Sequence, residues 1–309
     1  MSHGYNSLRG IKRWSIVLLV ATLSSAVFVS FRQQVRDVNN HLKSAVKSNG
    51  QCTGDCFASS YWDELLNSNA VAASQIMEYF MWPNRSSCQL AHDIGGIMLN
   101  NPSGVAGQKT VCLDPQVMPK PKHCLVYSFG ISDEWSFDEQ MERYGCQVFA
   151  FDPSMGIESH DHSPGVHFYN WGLSNRDEFD KVENWTMRSL SSIYNSLSGI
   201  HGPDTIIDYL KIDVEYSEWL SLPEMISSGM LSKVRQLGIE VHMDEKETFE
   251  RLLEWTKLMR SIELMGMVRF DSKYNLWSMR NFTKFQLLGP IGHEIAWYNS
   301  KLYHSTTGT

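Results

Sequence analysis

The stretch HCLVYSFGISDEWSFDEQMERYGCQVFAFDP, His123 to Pro153, holds two short apolar runs separated by a segment of different period. Cys124–Phe129 is almost wholly apolar and reads as a buried strand, and Gly130–Trp135 as a loop. In the segment beginning at Ser136, Phe137, Met141 and Tyr144 recur at i, i+4 and i+7, the spacing of one helix face. Ser136 and Glu139 stand in capping-box spacing, and Gly145 is a natural helix stop. Cys146–Phe151 reads as a second strand, closed by Asp152-Pro153.

The alternation continues downstream. Val166–Gly172 reads as a third strand, Glu183–Leu197 as a helix and Thr205–Ile212 as the fourth strand. Ser217–Ile226 reads as a helix interrupted at Pro223, and Val234–Val241 as the fifth strand. A strong helix follows, with Asp244 and Glu247 in capping spacing. Two late strands lie near Met267–Phe270 and Glu294–Tyr298. Upstream, Tyr61–Trp82 reads as a helix ended by Pro83, Ile94–Gly107 as a loop and Lys109–Leu113 as a short strand. Strands alternating with helices predict an α/β fold, a mostly parallel sheet of five strands and a terminal pair, covered on both faces.

In such sheets ligands bind beyond the strand ends, where strand order reverses. Gly130, past the first strand, permits a tight turn and close backbone approach; a plain strand–helix turn explains it equally well. Asp152, past the second, suits a ribose diol or, alternatively, an Asx-turn before Pro153. Asp213 and Glu215 leave the fourth strand in DYLKIDVEYSEW (Asp208–Trp219), either as a site rim or as a solvated exit, and Glu218 reads as a first-turn helix acid. Glu240 and His242 share one face at the end of the fifth, and an imidazole there can exchange a proton near neutral pH; a structural histidine is the alternative. His160, Asp161, His162 and His167 have metal-like spacing but sit in a Ser/Gly/Pro loop without a further placed ligand, and no metal is expected.

The chain has 309 residues, 42% hydrophobic and 20% charged, the range of a folded protein. Its net charge of −7 is uneven. Residues 1–36 carry five basic residues and no acidic one, leaving 22 basic against 34 acidic residues in the rest. An acidic main domain repels phosphate backbones, so a nucleic-acid partner is not expected. Trp14–Phe31 is an uncharged run of 18 residues, long enough to span a bilayer. The basic flank Arg9, Lys12, Arg13 favours a cytosolic N-terminus. The expected order is a tail over 1–13, a signal anchor over 14–31, a stem over 32–58 and a domain over 59–309 opening with a helical extension. The alternative is a cleaved signal peptide over 1–26, giving a secreted protein. Six cysteines permit three disulfides. Cys52 and Cys56 in CTGDC lack a second pair for zinc. Sequons at Asn84, Asn184 and Asn281 permit glycosylation.

VYSFGISDEWSFDEQM, CQVFAFDPSM, DYLKIDVEYSEW and IEVHM, in that order, resemble the FkbM-type S-adenosylmethionine-dependent methyltransferases, most nearly their animal branch, the methyltransferase-like protein twenty-four group. The resemblance covers Lys109 to Tyr298. It implies a Rossmann-like, seven-stranded methyltransferase sheet, mostly parallel with a terminal antiparallel strand and helices on both faces. By position it implies that Gly130 is the first glycine of the cofactor loop, with Ser132 in the same loop. Asp152 would hold the ribose hydroxyls, and Asp213 and Glu215 would lie by the methionine end and the substrate. In the implied fold Cys124 and Cys146 open adjacent strands and fall within bridging distance. The chain departs from the broader pattern at Ser128, where many members carry an acid, and at Glu134 and Tyr216, where glycines are usual.

The leading expectation is therefore S-adenosylmethionine-dependent O-methylation in the secretory pathway, with a small-molecule or glycan hydroxyl as acceptor and Golgi or ER lumenal placement through the N-terminal helix. Asp213 and His242 are the candidate bases and Glu215 an orienting group. A Golgi glycosyltransferase using Asp213-Val214-Glu215 as an acid-x-acid manganese site is the rival. The departures at Ser128 and Glu134 motivate a third reading, a non-catalytic domain on the same fold.

Overall fold

The computed structural model describes residues 56–68, 71–98, 105–274 and 278–304. The expected tail, anchor, most of the stem and Cys52 lie outside them. Among the described residues no helix is long and apolar enough to cross a membrane.

Helices α1 (Cys56–Asn67) and α2 (Ala73–Met81) replace the single expected helix over Tyr61–Trp82. The central sheet then begins with β1 (Cys124–Phe129), followed by α3 (Ser136–Tyr144), β2 (Cys146–Phe151), β3 (His160–Ser163) and β4 (Val166–Tyr169). Next come α4 (Leu190–His201), β5 (Tyr209–Ile212), α5 (Glu218–Ser227), β6 (Gln236–His242), α6 (Phe249–Leu264), β7 (Met267–Tyr274) and β8 (Gly292–Asn299). The strand order is β7-β8-β6-β5-β1-β2-β4-β3. β8 runs antiparallel to both its neighbours, and β3 antiparallel to β4, while the pairs within β6-β5-β1-β2-β4 are parallel. The sheet thus has eight strands, one more than expected. The addition is β3, which folds back on the edge of β4 in the His160–Ser163 segment expected to be loop.

Strand alternation divides the core. Val126, Val148, Ala150 and Tyr209 pack with Phe137 and Met141 of α3 and with Ile94 and Val111 of a two-stranded ladder, Ala91–Ile94 with Lys109–Cys112. Tyr127 and Phe149 face the other way and meet Tyr194 and His201 of α4. Trp219 of α5 stacks on Trp255 of α6 at 4.5 Å. Helices therefore cover both faces, although α3 shares its face with the ladder.

Three helix starts differ from expectation. The N-cap of α3 is Trp135, and Glu134 Oε1, rather than Ser136 or Glu139, accepts from Ser136 N at 2.9 Å. The Ser136 hydroxyl is engaged elsewhere, accepting from Gly96 N. Glu183–Leu197 is not one helix: Trp185–Arg188 is a strand, and α4 starts only after Ser189 caps it. α6 is capped by Thr248, which accepts from Arg251 N, rather than by Asp244. α5 runs unbroken through Pro223, the sixth of its ten residues, at the loss of one backbone N–H donor. Gly145 ends α3 as expected, at φ 107°.

Cys124 and Cys146, opposite each other in the first parallel pair, form a disulfide with a Cα–Cα distance of 4.6 Å, as the implied fold predicts. Cys88 and Cys112 form a second. At the sequons, Asn184 and Asn281 are exposed, whereas Asn84 Nδ2 donates to Arg269 O at 3.0 Å.

Candidate active site

β1 and β5 are neighbours, so the loops leaving them share one space. Gly130 has φ +79°, and a Cβ there would stand 1.6 Å from Asp213 O. Only glycine fits between these backbones. Lys211, buried in β5, donates to Gly130 O at 2.6 Å. Asp152 secures the loop from the other side. Its Oδ2 accepts from Ile131 N and Ser132 N, both at 2.8 Å, and its Oδ1 from Ser154 N and Oγ at 2.8 and 2.6 Å. Four acceptor positions are about what a carboxylate offers. The loop so fixed carries Ser132 and Asp133 at φ 48° and 64°. Glu215 and Tyr216, past β5, are also left-handed, at 46° and 76°. Side chains in that region cost energy that surrounding contacts must offset.

These loops border a cavity of about 540 Å³. Gly130, Ser132, Asp152, Asp213, Glu215 and His242, the six residues expected to serve the cofactor or the chemistry, all line it. Phe129 and Phe151, stacked at 4.5 Å, form part of an apolar wall with Leu173 and Met187. The polar wall is mainly acidic: Glu134, Glu240 and Glu294 join Asp152, Asp213 and Glu215.

Two cations organise these acids. Lys109, in the ladder strand, is buried, with Nζ 2.5 Å from Glu294 Oε1, 3.2 Å from Asp213 Oδ2 and 3.9 Å from Glu240 Oε2. Burial opposes its charge, but Asp213, Glu294 and Glu240 outweigh that and hold its pKa above the usual lysine range. Burial also opposes ionisation of Asp213; Lys109 and Lys211 outweigh it and keep this carboxyl below its ordinary value. Glu240 is pushed up to about 9 by burial, with Glu294 and Asp213 adding repulsion.

The second cation is His242. Its Nδ1 lies 3.2 Å from Glu218 Oε1, which also accepts from His242 N at 2.7 Å. Nε2 lies 3.5 Å from Glu215 Oε2 and 3.8 Å from Glu240 Oε1. Burial pulls the imidazole down, yet Glu218, Glu215 and Glu240 prevail and raise it to about 9. Ligand-type atoms of Asp213, Glu215 and His242 lie within 4.8 Å of one another.

The sequence reading passed over Lys109, Lys211 and Glu294, and took Glu218 for an ordinary helix acid. Lys211 had a signal, a lone charge inside the apolar run Tyr209–Ile212. Lys109 and Glu294 had none, since each meets its partners only across the sheet. The positions that depart from the broader pattern have local roles. Asp138 of α3 is buried near Ser128 and Lys211, and burial raises its carboxyl against the pull of Lys211. Glu134 serves the start of α3. Tyr216 places its ring 5.7 Å from His242. Of the loop histidines, His162 stacks on Trp135 at 4.0 Å and His167 bonds Asp161 at 2.6 Å.

A family model described as a methyltransferase domain matches residues 67–288. The chain is 27% identical over 208 residues to "Probable methyltransferase-like protein 24" of Homo sapiens, covering 62% of this chain and 56% of that protein. It is 27% identical over 209 residues to the protein of the same description in Rattus norvegicus, with the same coverage. The match thus spans little more than half the length of these curated relatives.

Proposed function

The chain belongs to the methyltransferase-domain family, and from that premise we propose that it is an S-adenosylmethionine-dependent O-methyltransferase of the FkbM type, acting on a small-molecule or glycan hydroxyl in the secretory pathway. The observation that carries this is the convergence of Gly130, Ser132, Asp152, Asp213, Glu215 and His242 on one mainly acidic cavity. At about 540 Å³ it falls within the roughly 300–1,000 Å³ of small-molecule sites. When bound, S-adenosylmethionine supplies a methyl group on a positively charged sulfur. An acidic lining attracts that charge.

The residues present fit such a cofactor. Gly130 keeps the loop close to Asp213, and the stacked Phe129 and Phe151 offer an apolar wall for an adenine. Asp152 accepts a ribose hydroxyl by exchanging the Ser154 hydroxyl, the one of its four partners that rotates freely. Lys211 is the cation nearest Gly130 and suits a carboxylate. Asp213 and His242 are the groups able to take the acceptor's proton, and Glu215 orients the acceptor. Holding two reactants at attack distance accounts for much of the rate in reactions of this kind.

One observation favours a second reading. The spacing of Asp213, Glu215 and His242 suits a divalent cation, as a glycosyltransferase using manganese requires. Without such a cation the acidic lining repels a nucleoside diphosphate. Calorimetry on the full-length chain separates the two: S-adenosylmethionine binding without metal supports methyl transfer, and nucleotide-sugar binding only with manganese supports the rival. Binding of neither supports a non-catalytic domain. Within the methyl-transfer reading, Asp213→Asn lowers turnover at least about tenfold with cofactor binding retained. Full turnover in that variant removes Asp213 from the proton step.

A further inference from the structure

We propose that Asp138 of α3 is the positioning residue of the cofactor loop: its carboxylate balances the buried charge of Lys211 and so keeps Lys211 Nζ on the carbonyl of Gly130. The inference rests on the methyl-transfer reading and deepens it.

The sheet sets the partners side by side. Ser128 of β1 and Lys211 of β5 are opposite each other in the parallel ladder. By alternation they share a face with Val126 and Tyr209. That face packs on α3, where the Phe137 ring lies 5.4 Å from that of Tyr209. Asp138 stands three residues before Met141, which packs on the same face of the sheet, so the two side chains share one side of α3. Ser128, Asp138 and Lys211 are thus folded into an apolar interface, at 0%, 0% and 3% exposure.

Two charges there each pose a problem that the other answers. Asp138 belongs to the first turn of α3, where the helix dipole favours a carboxylate and water ordinarily surrounds it. Here it is wholly buried, and among the described residues neither of its oxygens receives a formed hydrogen bond. A carboxylate so placed is costly unless a cation faces it. Lys211 is buried in an apolar strand, and its Nζ donates to Gly130 O at 2.6 Å, a neutral acceptor that cannot balance a full charge. Lys211 is the cation that favours the ionised Asp138 against burial, and it acts likewise on Asp213. Asp213, however, lines the cavity and is already held by Lys109 at 3.2 Å. Asp138 therefore supplies the counter-charge that belongs to Lys211.

The consequence reaches the loop. Asp152 ties it on one side through Ile131 N and Ser132 N, and Lys211 ties it on the other through Gly130 O. Without Asp138 behind it, Lys211 turns toward Asp213 and releases the Gly130 carbonyl. The loop then keeps one tie of two, and a cofactor must reorder it on binding. Affinity falls, while turnover of the saturated enzyme does not.

The test titrates S-adenosylhomocysteine by calorimetry into full-length wild type, Asp138→Asn, Lys211→Met and the double variant. Asp138→Asn keeps the size of the side chain and removes its charge. It is expected to weaken binding about tenfold, within the range for members of one buried network. Turnover at saturating S-adenosylmethionine is retained. Because Asp138 acts through Lys211, the double variant binds no more weakly than Lys211→Met alone. Ser128→Asp added to Asp138→Asn returns a carboxylate beside Lys211 and restores affinity, which a purely packing role of Asp138 would not allow. In the ligand-free chain, amide hydrogen exchange at Ile131 and Ser132 quickens in Asp138→Asn and slows again in the rescued variant. Unchanged affinity in Asp138→Asn, or losses that add in the double variant, overturns the role of Asp138 and leaves the methyl-transfer reading intact. If Asp138→Asn or Lys211→Met fails to fold, the Ser128→Asp rescue decides: recovered fold and binding support the inference, and no recovery overturns it. Failure of the wild type to bind overturns the methyl-transfer reading and the inference with it.

Discussion

Two cation-centred clusters share the cavity wall, and they differ in where the titratable proton sits. Around Lys109, three carboxylates surround a cation that stays charged, and the excess negative charge is relieved by a proton on Glu240. Around His242, Glu218, Glu215 and Glu240 surround a cation that can itself lose its charge. The first arrangement ties the ends of β5, β6 and β8 together through a cation that keeps its charge. The second can exchange a proton with whatever enters. On the methyl-transfer reading proposed above, the two centres assign structural support to lysine and chemistry to histidine, within one acidic wall.

The largest way to break this division is Lys109→Met. It leaves Asp213, Glu240 and Glu294 without their common partner, and losing one member of a buried charge network costs about 3–5 kcal/mol. Denaturant titration measures it, and the deficit shrinks at low pH as those carboxyls take protons. Unchanged stability in Lys109→Met contradicts its structural role.

The pH dependence of stability sharpens the comparison. His242 is raised from 6.5 to about 9, so its contribution is fully present below about pH 6.5 and is lost as pH rises to about 9. The shift corresponds to about 3 kcal/mol. Glu240, raised from 4.5 to about 9, loses its contribution over a window that opens near pH 4.5. The stability difference between wild type and His242→Gln therefore shrinks by up to about 3 kcal/mol between pH 6.5 and 9 and stays level between pH 4.5 and 6.5. A difference that stays level through pH 9 as well means that His242 titrates unperturbed. In turnover, the same variant loses roughly 10²–10⁴-fold, the usual worth of a general base.

The smallest effect belongs to Glu215→Gln. The Glu215 side chain is 78% exposed, and surface substitutions of this kind stay within about 0.5 kcal/mol. The His242 titration nevertheless moves slightly downward, because one carboxylate facing Nε2 is gone. A large loss of stability in this variant would place Glu215 in the Lys109 network instead.

The sequence disclosed the fold where pattern is local. β1, α3 and β2 followed from apolar period and from Gly145, and the strand-end logic located Gly130, Asp152, Asp213, Glu215, Glu240 and His242 of the cavity wall. It failed where meaning depends on distant partners. Glu218 stands in first-turn position, and only the return of β6 beside α5 shows that its carboxylate holds His242. Lys109 lies 185 residues from Glu294 in the chain, yet the two side chains meet at 2.5 Å. Helix caps were misplaced for a related reason: Ser136 has the right chemistry for a cap, but its hydroxyl is taken by Gly96. β3 was missed because His160–Ser163 is polar on a sheet edge, where one side of a strand can stay in water.

The Cys124–Cys146 bridge lies at the end of the sheet away from the cavity, where β1 and β2 begin. Parallel pairing is ordinarily slow to find, since a whole crossover must close before any ladder bond forms. Here one covalent link between residues 22 positions apart closes that crossover in advance. By chain-entropy reckoning, a loop of this size removes about 3 kcal/mol from the search. Once oxidised, β1, α3 and β2 assemble as though the two strands were near neighbours in the chain, and the first pair of the sheet becomes a nucleus on which the later strands can add.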